Sequence, residues 1–428
     1  MLMIATALFS ALLGVVDIGE TFADPEAWKA KGEEFVNANR MSGFRFASDK
    51  HDIANCLNRG GCTWYGVEVW EAKLYYGANG LDRIELSVYN RGDDSSGGSM
   101  TNEKLQELLA DVASKAEPNG KLKSNPTKKK LKSGGYQLSQ RFNKGPNDVE
   151  LSWGMNGAKA KDLTADYVRV AIFPKGKGAS ASKGTKGVVS GTKAKSNIKK
   201  EENGDVWIDN IPMVDQGAKG YCAAATSERI LRYYGFNIDE HEIAQMAGTT
   251  AGGGTSIDEM ITTVKTVGSK CRLGFVEIVS MNGSMKEIDK ELKQYNQMAK
   301  SMKKPQLNQN QFMNGNTLMV ADMRDAMDKD VLLKLREKDF RYKRFLDGIK
   351  KSIDQGIPVF WGVSLGIFPE EKLTPQTKGG HMRLIIGYNK TTKELLFSDT
   401  WGQGHEKKRV QQNHAFGMTS EAFYLKPL

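Results

Sequence analysis

Between Pro174 and Gly204 the chain carries eight lysines, many glycines, serines and threonines, and no aromatic residue. Such a segment cannot bury enough apolar surface to offset the entropy of ordering it. A chain of 428 residues divided at such a point must build a separate core on each side. The expected organisation is an N-terminal domain over 24–173, a flexible linker over 174–204 and a C-terminal domain over 205–428. Charge follows the same division. Residues 121–200 hold 19 Lys and Arg against 4 Asp and Glu, so with a net charge of +10 the rest of the chain is negative. The lysines have no interleaved aromatics and no reading module, which argues against a specific nucleic-acid partner. A solvated spacer is expected there, ahead of an electrostatic tether or a cleavable junction.

The C-terminal half opens on Val214-Asp215-Gln216-Gly217-Ala218-Lys219-Gly220-Tyr221-Cys222-Ala223-Ala224-Ala225. The alanines predict a helix that begins at Cys222. A helix N-terminus presents unpaired N–H groups and the positive end of the macrodipole, and both favour a thiolate. Gln216, six residues earlier, can donate its amide to an oxyanion forming near the sulfur. A thiolate nucleophile needs a base, and the base needs an orienting partner. His381 follows Gly379-Gly380 and starts the apolar run Met382–Tyr388, which reads as a buried strand. Eighteen residues on, a second strand ends in Asp399-Thr400-Trp401-Gly402. Two adjacent antiparallel strands would set Asp399 beside His381, where it can fix the imidazole tautomer. Trp401 could screen that hydrogen bond from water.

The order Cys, His, Asp, the glutamine before the cysteine and the Asp-Thr-Trp-Gly turn resemble the papain-like cysteine peptidases. Gln216-Gly217-x-x-Gly220-Tyr221-Cys222-Ala223 is most similar to their bacteriocin-processing branch. The resemblance covers about 205–428. It implies an α+β fold, with a catalytic helix packed on an antiparallel sheet, and a cysteine endopeptidase acting on a peptide or protein. It also implies roles: Cys222 as nucleophile, His381 as general base and acid, Asp399 as orienter, and Gln216 with the Cys222 backbone N–H as oxyanion donors. No cofactor is implied. The stretch from Cys222 to His381 is longer than a minimal domain needs, so an insertion within 280–330 is expected to shape the cleft. The same thiol could instead serve an amide hydrolase or acyltransferase, or the domain could be an inactive peptide-binding module.

The N-terminal half reads as a small α+β domain. Strands are expected near 66–76, 84–89, 136–142, 149–153 and 167–173, and Leu105, Leu108, Leu109 and Val112 have helical spacing. Residues 1–23 have the apolar run and the small residues before Asp24 of a signal peptide. That predicts a secreted or periplasmic protein, with an uncleaved membrane anchor as the other reading and no membrane span after it. Cys56 and Cys62 flank a turn-rich loop and could pair or stay free, while Cys271 reads as a core residue. His241 is expected in solvent. No histidine pair has metal-ligand spacing and there is no Cys-x-x-Cys, so no metal site is predicted.

Overall fold

The computed structural model describes residues 14–93, 100–117, 120–130, 136–156, 164–177, 191–217, 220–236, 238, 240–246, 257–315, 317–370 and 379–428. The protein is α+β, with one hydrophobic core from Val16 to Ile172 and a second from Ile208 to Leu425. Most of the expected signal peptide (1–13), the middle of the expected linker (178–190) and the glycine loop at 251–255 lie outside the described residues.

The N-terminal core is built on an eight-stranded antiparallel sheet, beside a three-stranded sheet of Val16–Asp17, Cys62–Trp64 and Val67–Val69. The strands of the larger sheet are β1 (Phe44–Phe46), β2 (Ile53–Cys56), β3 (Glu71–Gly77), β4 (Gly80–Asn90), β5 (Thr127–Lys130), β6 (Tyr136–Lys144), β7 (Asn147–Asn156) and β8 (Thr164–Pro174). They run in the order β1-β2-β3-β4-β8-β7-β6-β5. Helix α1 (Asn102–Ala116) packs on β6, β7 and β8, burying Leu105, Leu109, Val112 and Ala116 along one face. Thr101 caps it by accepting from the Lys104 N–H.

Residues 14–23 are part of this unit. Val16-Asp17 pairs with Cys62-Thr63, and Val16, Ile18 and Phe22 are buried. The Phe22 carbonyl accepts from Trp28 Nε1 at 3.3 Å and from Asn147 Nδ2 at 2.8 Å. Cutting after Ala23 would therefore withdraw an aromatic side chain and an acceptor from the core. The composition that suggested a removable leader is equally that of a buried segment. Cys56 and Cys62 are both buried free thiols.

The linker also ends earlier than its composition predicts. A helix over Gly191–Lys195 buries Ala194, and β9 (Ile198–Lys200) pairs with β10 (Asp205–Ile208). Residues 191–204 thus extend the C-terminal sheet, because backbone pairing orders a lysine-rich strand that side-chain burial could not.

After β10 the C-terminal half continues with helix α2 (Cys222–Tyr233). Helix α3 (Ile257–Lys270), strand β11 (Leu273–Ser280) and helices α4 (Met285–Ser301), α5 (Lys329–Glu337) and α6 (Phe340–Ile353) follow. Then come β12 (Val359–Leu365), β13 (Gly379–Asn389), β14 (Glu394–Ser398), β15 (Lys408–Gln411), α7 (Gln412–Met418) and β16 (Thr419–Pro427). The sheet order is β9-β10-β13-β12-β16-β11, with β14 also paired to β13 and to β15. Strand β13 is buried from His381 to Asn389, as a strand covered on both faces must be. Helix α2 lies against it, and Thr226 Oγ1 donates to the Met382 carbonyl at 3.1 Å. Among the described residues no helix is long and apolar enough to cross a membrane.

Phe22→Ala should destabilise the N-terminal unit by about 3–5 kcal/mol, the usual cost of emptying a buried phenylalanine site. Urea unfolding followed by tryptophan fluorescence reads this directly, since Trp28 packs edge-on against Phe22 at 5.4 Å.

Candidate active site

Cys222 is the first residue of α2 and is partly accessible, whereas the preceding Tyr221 is wholly buried. His381 is the side chain that acts most strongly on the Cys222 thiol. Burial pushes the thiol pKa up, but the His381 charge and hydrogen bonds from His381 and nearby backbone outweigh that, leaving it below the ordinary value. Burial opposes the His381 charge in turn; Asp399 and the Cys222 anion overcome it and raise the imidazole to about 9. His381 Nε2 lies 2.5 Å from Asp399 Oδ1, so Nδ1 is the ring nitrogen left for the sulfur. Asp399 is fully buried; burial disfavours its charge, yet His381 and Arg383 hold it well below the usual carboxylate range. Each shift favours the charged form of its group.

The structure therefore groups three of the four predicted site residues, His381 and Asp399 in direct contact and Cys222 within reach of the imidazole charge. It ties the fourth, Gln216, to the same turn. The Gln216 N–H donates to the Thr400 carbonyl at 2.9 Å, and its Oε1 accepts from Thr400 Oγ1. With the carbonyl end of the amide engaged, the donor end is fixed in orientation. Trp401 stacks on His381 with ring centroids 4.5 Å apart and planes 15° from parallel. That cover keeps water from the His381–Asp399 bond and strengthens it.

Residues 210–304 match the Peptidase C39 family, and residues 277–424 match the Peptidase C39 like family. The C-terminal half is a C39-type cysteine peptidase domain. Two solved structures are similar to it. One is the peptidase domain of Streptococcus ComA, a bifunctional ABC transporter involved in quorum sensing. It is 10% identical, with a TM-score of 0.25, covering 51% of this chain and 100% of that one. The other is xylellain, a cysteine protease from Xylella fastidiosa. It is 11% identical, with a TM-score of 0.26, covering 55% of this chain and 88% of that one. No curated protein matches the chain.

Around the C39 site stand charged residues that the motif does not reveal. Arg383 Nε lies 3.1 Å from Asp399 Oδ2, and its Nη1 donates to Glu370 Oε2 at 2.6 Å. Its guanidinium sits among Trp361, Phe397 and Trp401. Arg229, about two turns into α2, donates to the Asp399 carbonyl at 2.7 Å, the Ser398 hydroxyl at 2.6 Å and the Pro212 carbonyl at 2.8 Å. Arg383 carries a sequence signal, an arginine inside an otherwise apolar run, whereas Arg229 follows Thr226-Ser227-Glu228 and carries none.

The N-terminal unit meets the domain at this loop. Arg45 binds buried Asp215 at 2.9 Å, and Asp215 Oδ1 accepts from the Gly217 N–H at 3.0 Å. A Cβ on Gly402 would fall 2.5 Å from Asp215 Oδ2, so only glycine lets the Asp399 turn close on the Gln216 loop. His241, expected in solvent, is buried at the same seam with Nε2 3.1 Å from Glu71 Oε2. Glu71, Asp93 and His241 bring three potential ligand atoms within 4.8 Å of one another. That grouping joins both halves of the chain, so local spacing could not reveal it.

Asp399→Asn should remove the main charge that raises His381. The imidazolium then loses its proton at lower pH, so the alkaline limb of kcat/KM on a peptide substrate moves down from about 9. A pH–rate profile of the two proteins tests this.

Proposed function

We propose that the protein is a cysteine endopeptidase in which Cys222, His381 and Asp399 act as a triad and Gln216 serves the oxyanion. The observation that supports this most is the contact chain from a helix-initial thiol through His381 to a buried carboxylate, within a C39-type domain. The Cys222 thiolate attacks the scissile carbonyl carbon. The oxyanion is stabilised by the Gln216 amide and the Cys222 N–H. His381 gives its proton to the departing amine, and water then enters with His381 as base to release the acyl group and restore the thiolate.

Amide hydrolysis or acyl transfer to a non-peptide acceptor would use the same thiol and the same first step. Product masses separate these: a peptide cut with water added supports the endopeptidase, and an acceptor adduct does not. A binding module without catalysis would leave Cys222 an ordinary thiol, alkylated slowly by iodoacetamide at mildly acidic pH.

Export to a secreted or periplasmic location is part of the proposal. It rests on the apolar N-terminus, and the burial of Phe22 argues that any cut falls before residues 14–22. N-terminal sequencing of protein recovered outside the cytoplasm decides it.

Cys222→Ala should abolish turnover while leaving circular dichroism unchanged, and wild-type turnover in that variant would sink the mechanism. Gln216→Ala should lower kcat by about 10²-fold with little change in KM, the usual result of losing one oxyanion donor.

A further inference from the structure

The insertion between α3 and α6 encloses a cavity of about 730 Å³. It is walled by α4, a helix over Val320–Asp325, α5 and the start of α6. Five cationic side chains line it against three carboxylates. The carboxylates are already committed. Glu291 holds Arg324 at 2.7 Å and Arg336 at 2.6 Å, one oxygen each. Asp339 holds Arg341 at 2.7 Å, and Glu287 caps α4 through Ser284. Among the described residues the Nε groups of Arg324 and Arg336 are buried without an acceptor, and Arg336 is only 4% exposed. Burial and the neighbouring Arg324 and Arg341 charges press on the Arg336 charge, leaving its pKa below the ordinary arginine value. A buried guanidinium cluster with surplus donors is built for carboxylates or other oxyanions.

The place of the cavity says which anion. It opens at Ser280, the end of β11, which pairs with Glu421 of β16; Glu421 pairs with Gly362 of β12, and the next residue, Val363, pairs with His381. The cavity and the catalytic imidazole thus share one end of the sheet, three strand spacings or roughly 15 Å apart. An extended peptide covers that distance in about four or five residues. Phe340 stands 82% exposed at the rim, an apolar contact that a bare inorganic anion would not use.

We propose that this cavity binds an acidic stretch of the polypeptide substrate, four or five residues from the scissile bond, through Arg324, Arg336 and Arg341. The inference rests on the endopeptidase reading for the identity of its ligand. It assigns to the insertion the role of setting which substrates reach Cys222.

The test uses the full chain carrying Cys222→Ala and a fluorescein-labelled glutamate-rich peptide, with its glutamine counterpart as control. Fluorescence anisotropy at low salt should give at least tenfold tighter binding of the glutamate peptide, lost in 0.5 M salt. Arg336→Gln would remove a buried partner of Glu291 and disturb the packing of α5, so the decisive variant is Arg341→Gln with Lys338→Glu, checked by circular dichroism, which should lose the tenfold preference. Equal binding of both peptides overturns the proposal. So does an unchanged preference in the folded double variant, or binding of pyrophosphate but not of the glutamate peptide. Iodoacetamide alkylation of wild-type Cys222 reads the thiol chemistry separately. Slow alkylation with intact peptide preference would sink the peptidase mechanism and leave the anion site standing.

Discussion

The catalytic half depends on the buried guanidinium of Arg229. It is the side chain that ties the catalytic helix to both loops the chemistry needs. One nitrogen reaches the Pro212 carbonyl, before Gln216; the others reach Ser398 and the Asp399 carbonyl. Burying it is costly: desolvation, only partly offset by Asp399 and Glu406, brings its pKa down to about 10. The cost is tolerable because each nitrogen of the fork has a geometrically matched acceptor, a match that lysine could not make. Without it, those acceptors would be left in a dry interior and the Asp399 turn would lose its anchor on α2.

From that anchor runs a row of alternating charge. Cys222 stands next to His381; His381 faces Asp399; Asp399 faces Arg383; Arg383 faces Glu370. Each member is stabilised by its neighbours and would be expensive alone. Lys408, 3.7 Å from Asp399, adds a further cation whose own pKa is lowered, burial being the main cause. The aromatic rings of Trp361, Phe397 and Trp401 around Arg383 exclude water, and a low local dielectric is what makes the row strong.

The candidate site residues were legible in the sequence because each is announced by its immediate neighbours. A glycine-rich loop ahead of alanines marks a helix start at Cys222, and an apolar run after two glycines marks a strand at His381. The Trp-Gly turn marks the carboxylate. Five strands of the N-terminal sheet and α1 were legible by the same periodicities, while β1, β2 and β5 were not; of the predicted helical face Leu105, Leu109 and Val112 are buried and Leu108 is partly so. The supporting charges were not. Arg229, Arg383 and Glu370 look unremarkable until strands distant in sequence bring them together. His241 was misread for a related reason: its partners, Glu71 and Asn90, lie about 150 residues away in the other half. Residues 191–204 were misread because composition reports side-chain burial and says nothing of backbone pairing.

The seam between the halves adds a constraint on the site. Asp215 is shared: one oxygen holds the Gly217 N–H, and the other takes Arg45 from the N-terminal unit. Gly217, at φ +66°, brings the loop so close that a Cβ there would stand 3.2 Å from Leu57. The loop bearing Gln216 is therefore braced from three sides, by Thr400 behind it, by Arg229 through Pro212 at its base, and by the N-terminal unit in front. An oxyanion donor is useful only if it is already in place when charge develops, since reorganisation at that moment cancels the gain. On this reasoning the N-terminal unit contributes no reacting group, yet it belongs to the site through the rigidity it lends Gln216.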